Sequence, residues 1–372
     1  MHPRTTRLIR TLQAFVLTGL TALGGCDAPE LPPDDALLVS SIYDDHVRVL
    51  DPATGDLLEE LEVGSGESAR EEPAGMAVAG DASAWYLVLG HRPPGLAEFS
   101  GRSGEPKRTI SLPDFRNASR VGLSPDGHWA VVTEYYLGEA VQRGHVAFVD
   151  LESERVGLMA PCQTPYGVAF DAQGTQVALS CPTGDEVVVL DGGTFEVRNR
   201  FIVTSPDVIS GNPGNPVSRP MGLAWAPGGD RIFVALYDEQ KLGIYTPQGD
   251  FFRGVALGAR PVNLAVTGRG RYVVVVTRET PTVTVVDTRS GEARAMPLSD
   301  ARNPHDVAVS PDGRTAYVAW EGGPEAPGGV TAVDLDEGVV LWEQETGPMT
   351  TAVVYRAGSS PAPAGGSTDD GG

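Results

Sequence analysis

The feature that most constrains the fold of this chain is an internal repeat with a period in the forties. The segments "VGLSPDG" at 121–127 and "VAVSPDG" at 307–313 show the repeat most plainly. The residues that mark the register of successive copies are Pro73, Ala118, Pro165, Pro220, Pro261, Pro304 and Pro348, spaced by 45, 47, 55, 41, 43 and 44 residues. Such a period, with short strands and turn residues inside it, predicts a β-propeller with one four-stranded blade per repeat.

Each copy has the same internal order. An inner strand such as 307–309 leads into a Ser-Pro-Asp-Gly turn, where proline presets φ and glycine supplies a positive φ. A mostly apolar second strand follows, and then a third strand that ends in an aspartate, as at Asp51 and Asp287. Because the aspartate recurs at one place in most copies, we interpret it as turn chemistry and not as a catalytic carboxylate.

The two ends of the array predict how the ring closes. The chain begins its first repeat at Ala36 with strands two, three and four but no inner strand, and it finishes with a lone inner strand. Residues 349–357 should therefore complete blade one, which removes both free sheet edges. Seven registers predict an all-β, seven-bladed propeller of four-stranded antiparallel blades. The long spacing of 55 residues places an insertion at about 203–218, between blades four and five.

The first residues of the chain are typical of an export signal. Arg4, Arg7 and Arg10 precede an apolar stretch at 12–23 that contains no acidic residue and is too short for a membrane span. The stretch ends in Leu-Gly-Gly-Cys, which resembles the lipobox of bacterial lipoproteins. That resemblance implies cleavage before Cys26 and lipidation of Cys26. A plain secretory signal with a chance cysteine is the alternative.

The domain organisation and cellular location follow from these segments. We expect a signal peptide (1–25), a lipidated cysteine with an acidic, proline-rich spacer (26–35), the propeller (36–357) and a disordered low-complexity tail (358–372). The protein should face the periplasm or the exterior of a bacterial envelope and touch the membrane through its lipid anchor only. A formal net charge of −21 excludes an electrostatic footprint for nucleic acid.

The repeats resemble the YVTN-repeat family of bacterial seven-bladed propellers. The shared pattern is Pro-x-x before an apolar strand, Ser-Pro-Asp-Gly, and a third strand of the form V-x-V-Asp-x-x-x-Gly, clearest at 304–338 and 261–291. The Tyr-Val-Thr-Asn signature itself is degraded, for example to "YVAW" at 317–320. The resemblance implies the seven-bladed fold. Repeats of this type also occur in sugar lactonases and in subunits that partner cytochromes.

Candidate ligand-binding residues come from the loops at one end of the central channel. In a propeller this end is formed by the loops that lead into the inner strands and the loops that leave the second strands. The predicted lining residues are Tyr43, His91, Glu134, Tyr237, Asp238, Arg278, His305 and Glu321. This set suits a polar ligand or, through Glu134, Asp238 and Glu321, a divalent cation. The alternative is that these are ordinary solvated loop residues.

Two further cysteines, Cys162 and Cys181, flank the inner and second strands of blade four. These points lie at neighbouring strand ends on the same propeller face, and export favours oxidation, so we predict a disulfide. The alternatives are a pair of buried thiols and a reactive nucleophile.

Motifs for the common kinds of catalysis are absent from the sequence. There is no haem-attachment motif, no zinc spacing, no nucleophile elbow, no P-loop and no dinucleotide fingerprint. We therefore expect no cofactor beyond a potential divalent cation in the channel. The favoured hypothesis is a monomeric, non-catalytic scaffold that binds an envelope protein or a small polar ligand. The alternatives are a lactonase-like hydrolase with a divalent cation and an accessory subunit of a cytochrome-containing complex.

Overall fold

The computed structural model describes residues 31, 35–63, 71–91, 93–135, 144–206, 208, 216–298, 303–323 and 326–358. These residues form seven four-stranded antiparallel sheets, and the inner strands of neighbouring sheets contact one another around a central channel. The predicted seven-bladed β-propeller is confirmed. The predicted signal peptide, Cys26 and the tail after Gly358 lie outside the described residues. No helix in the described ranges is long and apolar enough to cross a membrane.

Each blade runs from its inner strand at the channel to its outer strand at the periphery of the ring. The strands of blade one are β28 (Thr350–Arg356), β1 (Ala36–Ser41), β2 (His46–Leu50) and β3 (Leu57–Glu62). Blades two and three comprise β4 (Pro73–Val78), β5 (Ala84–Leu89), β6 (Gly95–Ser100), β7 (Pro106–Ser111), β8 (Ala118–Leu123), β9 (Trp129–Glu134), β10 (Val146–Asp150) and β11 (Val156–Met159).

The remaining blades follow the same order around the ring. Blades four and five comprise β12 (Val168–Phe170), β13 (Gln176–Cys181), β14 (Glu186–Asp191), β15 (Val197–Ile202), β16 (Pro220–Trp225), β17 (Ile232–Leu236), β18 (Lys241–Tyr245) and β19 (Phe251–Ala256). Blades six and seven comprise β20 (Pro261–Val266), β21 (Tyr272–Thr277), β22 (Thr282–Asp287), β23 (Ala293–Pro297), β24 (Pro304–Val309), β25 (Thr315–Trp320), β26 (Pro327–Asp334) and β27 (Val340–Pro348). A 3₁₀ turn, Pro182–Gly184, separates β13 from β14.

The ring closes as the sequence predicts. The last strand, β28, pairs antiparallel with the first, β1, from Ala36 opposite Arg356 to Ser41 opposite Thr350. This pairing gives blade one its inner strand, so its second strand, β1, is paired on both sides. The two ends of the domain are thereby held together by a sheet ladder.

The last register residue differs from the sequence prediction by two positions. Pro348 is not at the start of an inner strand but ends β27, where it lies opposite Pro327. Met349 then takes a left-handed conformation, with φ 56°, and turns the chain directly into β28. Thr350, opposite Ser41, is therefore the structural equivalent of Pro304, opposite Trp320. Pro348 has the residue type of a register position, but it belongs to the preceding strand, β27.

Apolar side chains fill the interfaces between blades. Leu38 and Val47 of blade one pack with Trp85 and Leu87 of blade two. The second strand of blade two, β5, is buried at every position because each face of the strand lies against a neighbouring blade. Burial on both faces explains why the second strands are apolar runs and not alternating ones.

The recurring aspartates are turn residues, as predicted. Oδ1 of Asp51 accepts hydrogen bonds from the backbone N–H groups of Ala53 and Thr54, at 2.7 and 3.1 Å. Asp287 makes the equivalent pair of bonds in blade six. Gly55, in the same turn as Asp51, has φ 80°, a conformation that favours glycine.

Two carboxylates tie down the ends of the insertion between β15 and β16. Asp185 accepts three backbone N–H bonds from residues 217–219, and Glu239 binds Ser205 and Ser218. The insertion lies where the sequence predicts it, although 207 and 209–215 are outside the described residues. Arg219, which follows the insertion, is thereby held at the channel face.

Candidate functional site: the pocket at the channel mouth

A recurring backbone bond brings the predicted loops together at one face of the ring. In six blades the residue after the second strand donates its N–H to the carbonyl of the residue before the register position, at 3.0–3.2 Å. The donor–acceptor pairs are Ile42–Met349, Gly90–Glu72, Tyr135–Asn117, Tyr237–Arg219, Arg278–Arg260 and Glu321–Asn303. Each bond joins the loop that leaves a second strand to the loop that leads into an inner strand. Both kinds of loop therefore surround the same opening of the channel.

Blade four makes this connection differently. The equivalent donor position is Pro182, which has no N–H to give. The predicted disulfide between Cys162 and Cys181 is confirmed, with the two Cα atoms 6.1 Å apart, and it joins the same two chain segments. Thr164 and Thr183 add a hydroxyl–hydroxyl hydrogen bond beside it. The covalent bond thus takes the place of the backbone bond that proline removes.

The opening contains a pocket of about 450 Å³, within the usual size range of small-molecule sites. Every blade contributes the residue that follows its register position. These seven residues are Ala74, Ser119, Tyr166, Met221, Val262, His305 and Thr351. The residues at the recurring backbone bonds supply Glu72, Asn117, Arg219, Ile42, Tyr135, Tyr237 and Arg278, and Arg120 completes the wall.

Arg120 lies on the inner strand of blade three and reaches across the channel to blade seven. Its Nη1 is 3.5 Å from Oδ2 of Asp306, and its Nη2 donates to the Tyr166 hydroxyl at 2.7 Å. Asp306 also accepts from Asn263 Nδ2 and from the backbone N–H of Val353. Since blades three and seven are not neighbours, this buried ion pair braces the channel from side to side.

His305 lies beside this brace and is neutral at pH 7. Its Nδ1 is 2.8 Å from the Thr351 carbonyl, which can only accept, so Nδ1 carries the proton. Burial, reinforced by the positive charge of Arg120, lowers the pKa of His305 to about 3. Its Nε2 therefore presents a lone pair and lies 3.8 Å from Oε1 of Glu321.

Two arginines at the pocket wall are held from behind by carboxylates. Nε of Arg219 is 3.1 Å from Asp238, and Nη2 of Arg278 is 2.8 Å from Glu321. The arginine side chains are 41% and 39% exposed, whereas Asp238 is 23% and Glu321 only 5% exposed. The guanidinium groups therefore meet the solvent in the pocket, and the carboxylates lie behind them.

Three tyrosines form the aromatic part of the wall. The rings of Tyr135 and Tyr166 meet edge to face with centroids 4.7 Å apart, and the Arg219 guanidinium lies 5.7 Å from the centre of the Tyr237 ring. Burial raises the pKa of Tyr135 to about 12, while the charges of Arg219 and Arg278 oppose that shift. The Tyr135 hydroxyl is thus a neutral donor within electrostatic range of two guanidinium groups.

The predicted lining residues divide into three groups. Tyr237, Arg278 and His305 line the pocket, and Asp238 and Glu321 lie directly behind its arginines. Tyr43, His91 and Glu134 do not line it. His91 pairs with Glu72, and Glu134 binds the backbone N–H groups of Arg116 and His145 together with the His145 ring. Position within the loop, one residue earlier or later, decides which side chain faces the channel.

The carboxylates proposed for a cation do not converge. Glu134, Asp238 and Glu321 each bind a different partner, and within the described ranges no three potential ligands that include them lie together. The one such group in those ranges is Cys162, Cys181 and Glu186, in which both sulfurs are consumed by the disulfide. The pocket wall itself is cationic and aromatic.

Most of the wall was missed by reasoning from the loops. The seven residues that follow the register positions include only one predicted residue, His305. Side chains alternate along an inner strand, so if the first position after the register faces the axis, the second faces the next blade. A Cβ on Gly222, at the second position, would lie 2.8 Å from the Asn263 Cα of the next blade. Counting one residue forward from each predicted register position would have found six of the seven, and it would have missed Thr351 because Pro348 belongs to the preceding strand.

These features define a class: a seven-bladed β-propeller with a polar, ligand-sized pocket at one mouth of its channel. No family model and no curated protein matches the chain. The predicted YVTN-repeat membership therefore rests on the sequence resemblance alone.

Solved structures share the fold. A protein of unknown function from Desulfotomaculum acetoxidans DSM 771 superposes with a TM-score of 0.65 at 15% identity, over 84% of this chain and 99% of its own. Kuenenia stuttgartiensis hydrazine synthase superposes with a TM-score of 0.57 at 17% identity, over 73% of this chain and 80% of its own. At such identities these likenesses show the propeller fold and nothing finer.

Proposed function

We propose that this protein is a non-catalytic, envelope-anchored β-propeller that binds a small polar ligand, or a polar group of an envelope protein, in the pocket at its channel mouth. The observation that carries the proposal is the composition of the wall, to which all seven blades contribute the residue after the register position. A wall built from seven strand ends in a closed ring is held rigidly, which favours recognition of a defined ligand.

The contacts inside the pocket support binding over catalysis. Arg120, Arg219 and Arg278 are each paired with a carboxylate, and the His305 Nδ1 is bound to a backbone carbonyl. Among the described residues, no hydroxyl of Ser119 or Thr351 bonds to the His305 ring, so the wall has no assembled pair of nucleophile and base.

The envelope anchor is the part of the proposal that rests on the sequence. Cys26 follows the lipobox-like residues 23–25, and the spacer 27–35 would separate the lipid from the ring. Replacing the cysteine, Cys26→Ser, should release the protein from membranes into the soluble fraction with its unfolding transition unchanged. Membrane fractionation of wild type that already finds the protein soluble would contradict the anchor.

The test of the binding function is a crosslinked pull-down from the native envelope, combined with native mass spectrometry of the gently purified protein. A stoichiometric partner or a co-purifying small molecule supports the proposal, and Arg278→Gln should abolish its retention. A cytochrome as the partner would favour the accessory-subunit alternative. Failure to retain either a partner or a small molecule contradicts the proposal.

The hydrolase alternative has its own measurement, lactone hydrolysis with and without added Ca²⁺. Turnover that requires the metal and is lost in Glu321→Gln would replace the binding function with a catalytic one. The separation of Glu134, Asp238 and Glu321 in different ion pairs and hydrogen bonds speaks against that outcome.

A further inference from the structure

The charges that a ligand would meet in the pocket differ in sign from those of the whole molecule. The chain carries a formal net charge of −21, yet three guanidinium groups and a single carboxylate line the pocket. The carboxylate, Glu72, is 2.8 Å from Nδ1 of His91. The acids that pair with the arginines are absent from the lining.

Arg219 and Arg278, which we call the rim arginines because they lie at the pocket opening, retain donors for a ligand. A guanidinium group has five N–H donors, and Arg219 and Arg278 each contact one carboxylate of the described chain, through Nε and Nη2 respectively. The carboxylate of Glu321 lies behind Arg278 and does not line the pocket. Planar, forked donors of this kind match the geometry of carboxylate and phosphate oxygens.

The wall also contains hydroxyl groups and apolar surface. The Oγ1 atom of Thr351, a residue only 3% exposed, is buried without a hydrogen-bond partner in the described structure. Tyr135, which lines the pocket, offers a neutral hydroxyl within electrostatic range of both rim arginines. Apolar surface from Ile42, Met221 and Val262 lies on the same wall.

From these contacts we infer that the pocket binds a small organic oxyanion, with its carboxylate or phosphate group between Arg219 and Arg278 and its apolar or aromatic body against the tyrosines. This inference rests on the proposed binding function and names its ligand class. Arg120 has a different part, since its side chain is only 13% exposed and its Nη1 and Nη2 atoms face Asp306 and Tyr166. It forms the charged floor and not the primary contact.

The test is isothermal titration of the full chain, purified in mild detergent at low chloride, with succinate, citrate, benzoate, phenyl phosphate and inorganic phosphate. Succinamide and benzamide serve as neutral partners of the same shape, and choline as a cation. We expect at least one anion to bind and its neutral analogue to bind at least tenfold more weakly. Preference among the anions separates a carboxylate ligand from a phosphate ligand.

Variants test whether the two rim arginines bind the anion. Arg219→Gln and Arg278→Gln should each weaken anion binding tenfold or more, and tenfold corresponds to about 1.4 kcal/mol. The matched control is Arg198→Gln, because Arg198 is 47% exposed and also ion-paired, with Asp191, but lies on the outer strand of blade four. It should bind within twofold of wild type.

Three results would overturn the inference. Equal binding of anion and amide, binding of choline alone, or unchanged anion affinity in both rim variants would each refute the oxyanion site while leaving a ligand-binding pocket in place. Absence of binding by every compound, together with an empty native mass spectrum and no crosslinked partner, would refute the proposed function as well.

Discussion

At the residue scale, the first two positions of each inner strand have separate structural duties. The position after the register residue faces the channel, and the next one packs against the neighbouring blade. That second position is Gly or Ala in four blades, as at Gly75 and Gly222, but blades three, six and seven have Arg120, Asn263 and Asp306. Arg120 and Asp306 reach each other across the channel and form its floor.

The cross-channel pair allows a double-mutant prediction. Arg120→Leu should lower the free energy of unfolding by about 3 kcal/mol, because Asp306 would lose its buried cationic partner. Arg120→Leu with Asp306→Asn should recover much of that loss, since no uncompensated charge remains. Urea unfolding of the two single variants and the double variant measures the coupling. Purely additive effects would show that the pair does not interact.

His305 predicts a pH dependence of stability. Its pKa is lowered to about 3 in the folded protein and is near 6.5 in the unfolded chain, so below pH 6.5 the unfolded state binds more protons. Stability from the neutral imidazole is therefore present above pH 6.5 and lost as pH falls. Wild type should lose about 2 kcal/mol more than His305→Gln between pH 7 and pH 5. Parallel pH profiles from urea unfolding would contradict this assignment.

At the element scale, each blade depends on a link between its second strand and the loop before its inner strand. Six blades make this link with the same backbone hydrogen bond. Blade four has Pro182 at the donor position and uses the bond between Cys162 and Cys181 instead. The disulfide is therefore a local substitute for a hydrogen bond as well as a general constraint on the unfolded chain.

Removing the disulfide should affect blade four first. Replacing both cysteines with alanine should cost about 3 kcal/mol of unfolding free energy for a loop of this length. Hydrogen exchange should accelerate at Tyr166 and Gly167, whose amides bond to Ser180 at the same strand ends. Amides of blade two, such as Gly90, are the internal control. Uniform acceleration in both blades would show that the disulfide acts only through the unfolded state.

At the scale of the whole molecule, the ring depends on the pairing of its two ends. Strand β28 gives blade one its inner strand and contacts the inner strands of blades seven and two. Without it, β1 would be an apolar strand with unpaired backbone groups along one edge. The inner strands on either side would also lose their neighbour.

Truncation tests the closure. A chain ending at Met349 should lose cooperative unfolding or aggregate, because the missing strand leaves apolar edges open. The control is a chain ending at Gly358, which keeps β28 and the bond from the Gly358 N–H to Asp35, and which should unfold like wild type. Urea unfolding and size-exclusion chromatography compare them. An unchanged unfolding midpoint in the shorter chain would contradict closure by β28.

The local pattern was sufficient to predict the number of blades, their order, the closing strand, the turn aspartates and the disulfide. The alternation of a strand and the repeat of about forty residues are both visible in the order of residues along the chain. Turn residues carry their own backbone preferences. The register of the last copy was the exception, since Pro348 has the right residue type in the wrong strand.

The pocket depends on contacts that no local pattern contains. Arg120 and Asp306 are 186 positions apart and meet only because closure of the ring places blades three and seven on opposite sides of one narrow channel. Whether a residue at the end of a second strand, such as Glu134 or Tyr135, faces that channel depends on a single step in strand alternation, which the backbone bond of six blades sets. Repetition along the chain thus specifies the ring, and the differences between blades acquire chemical meaning only when closure brings them to a common axis.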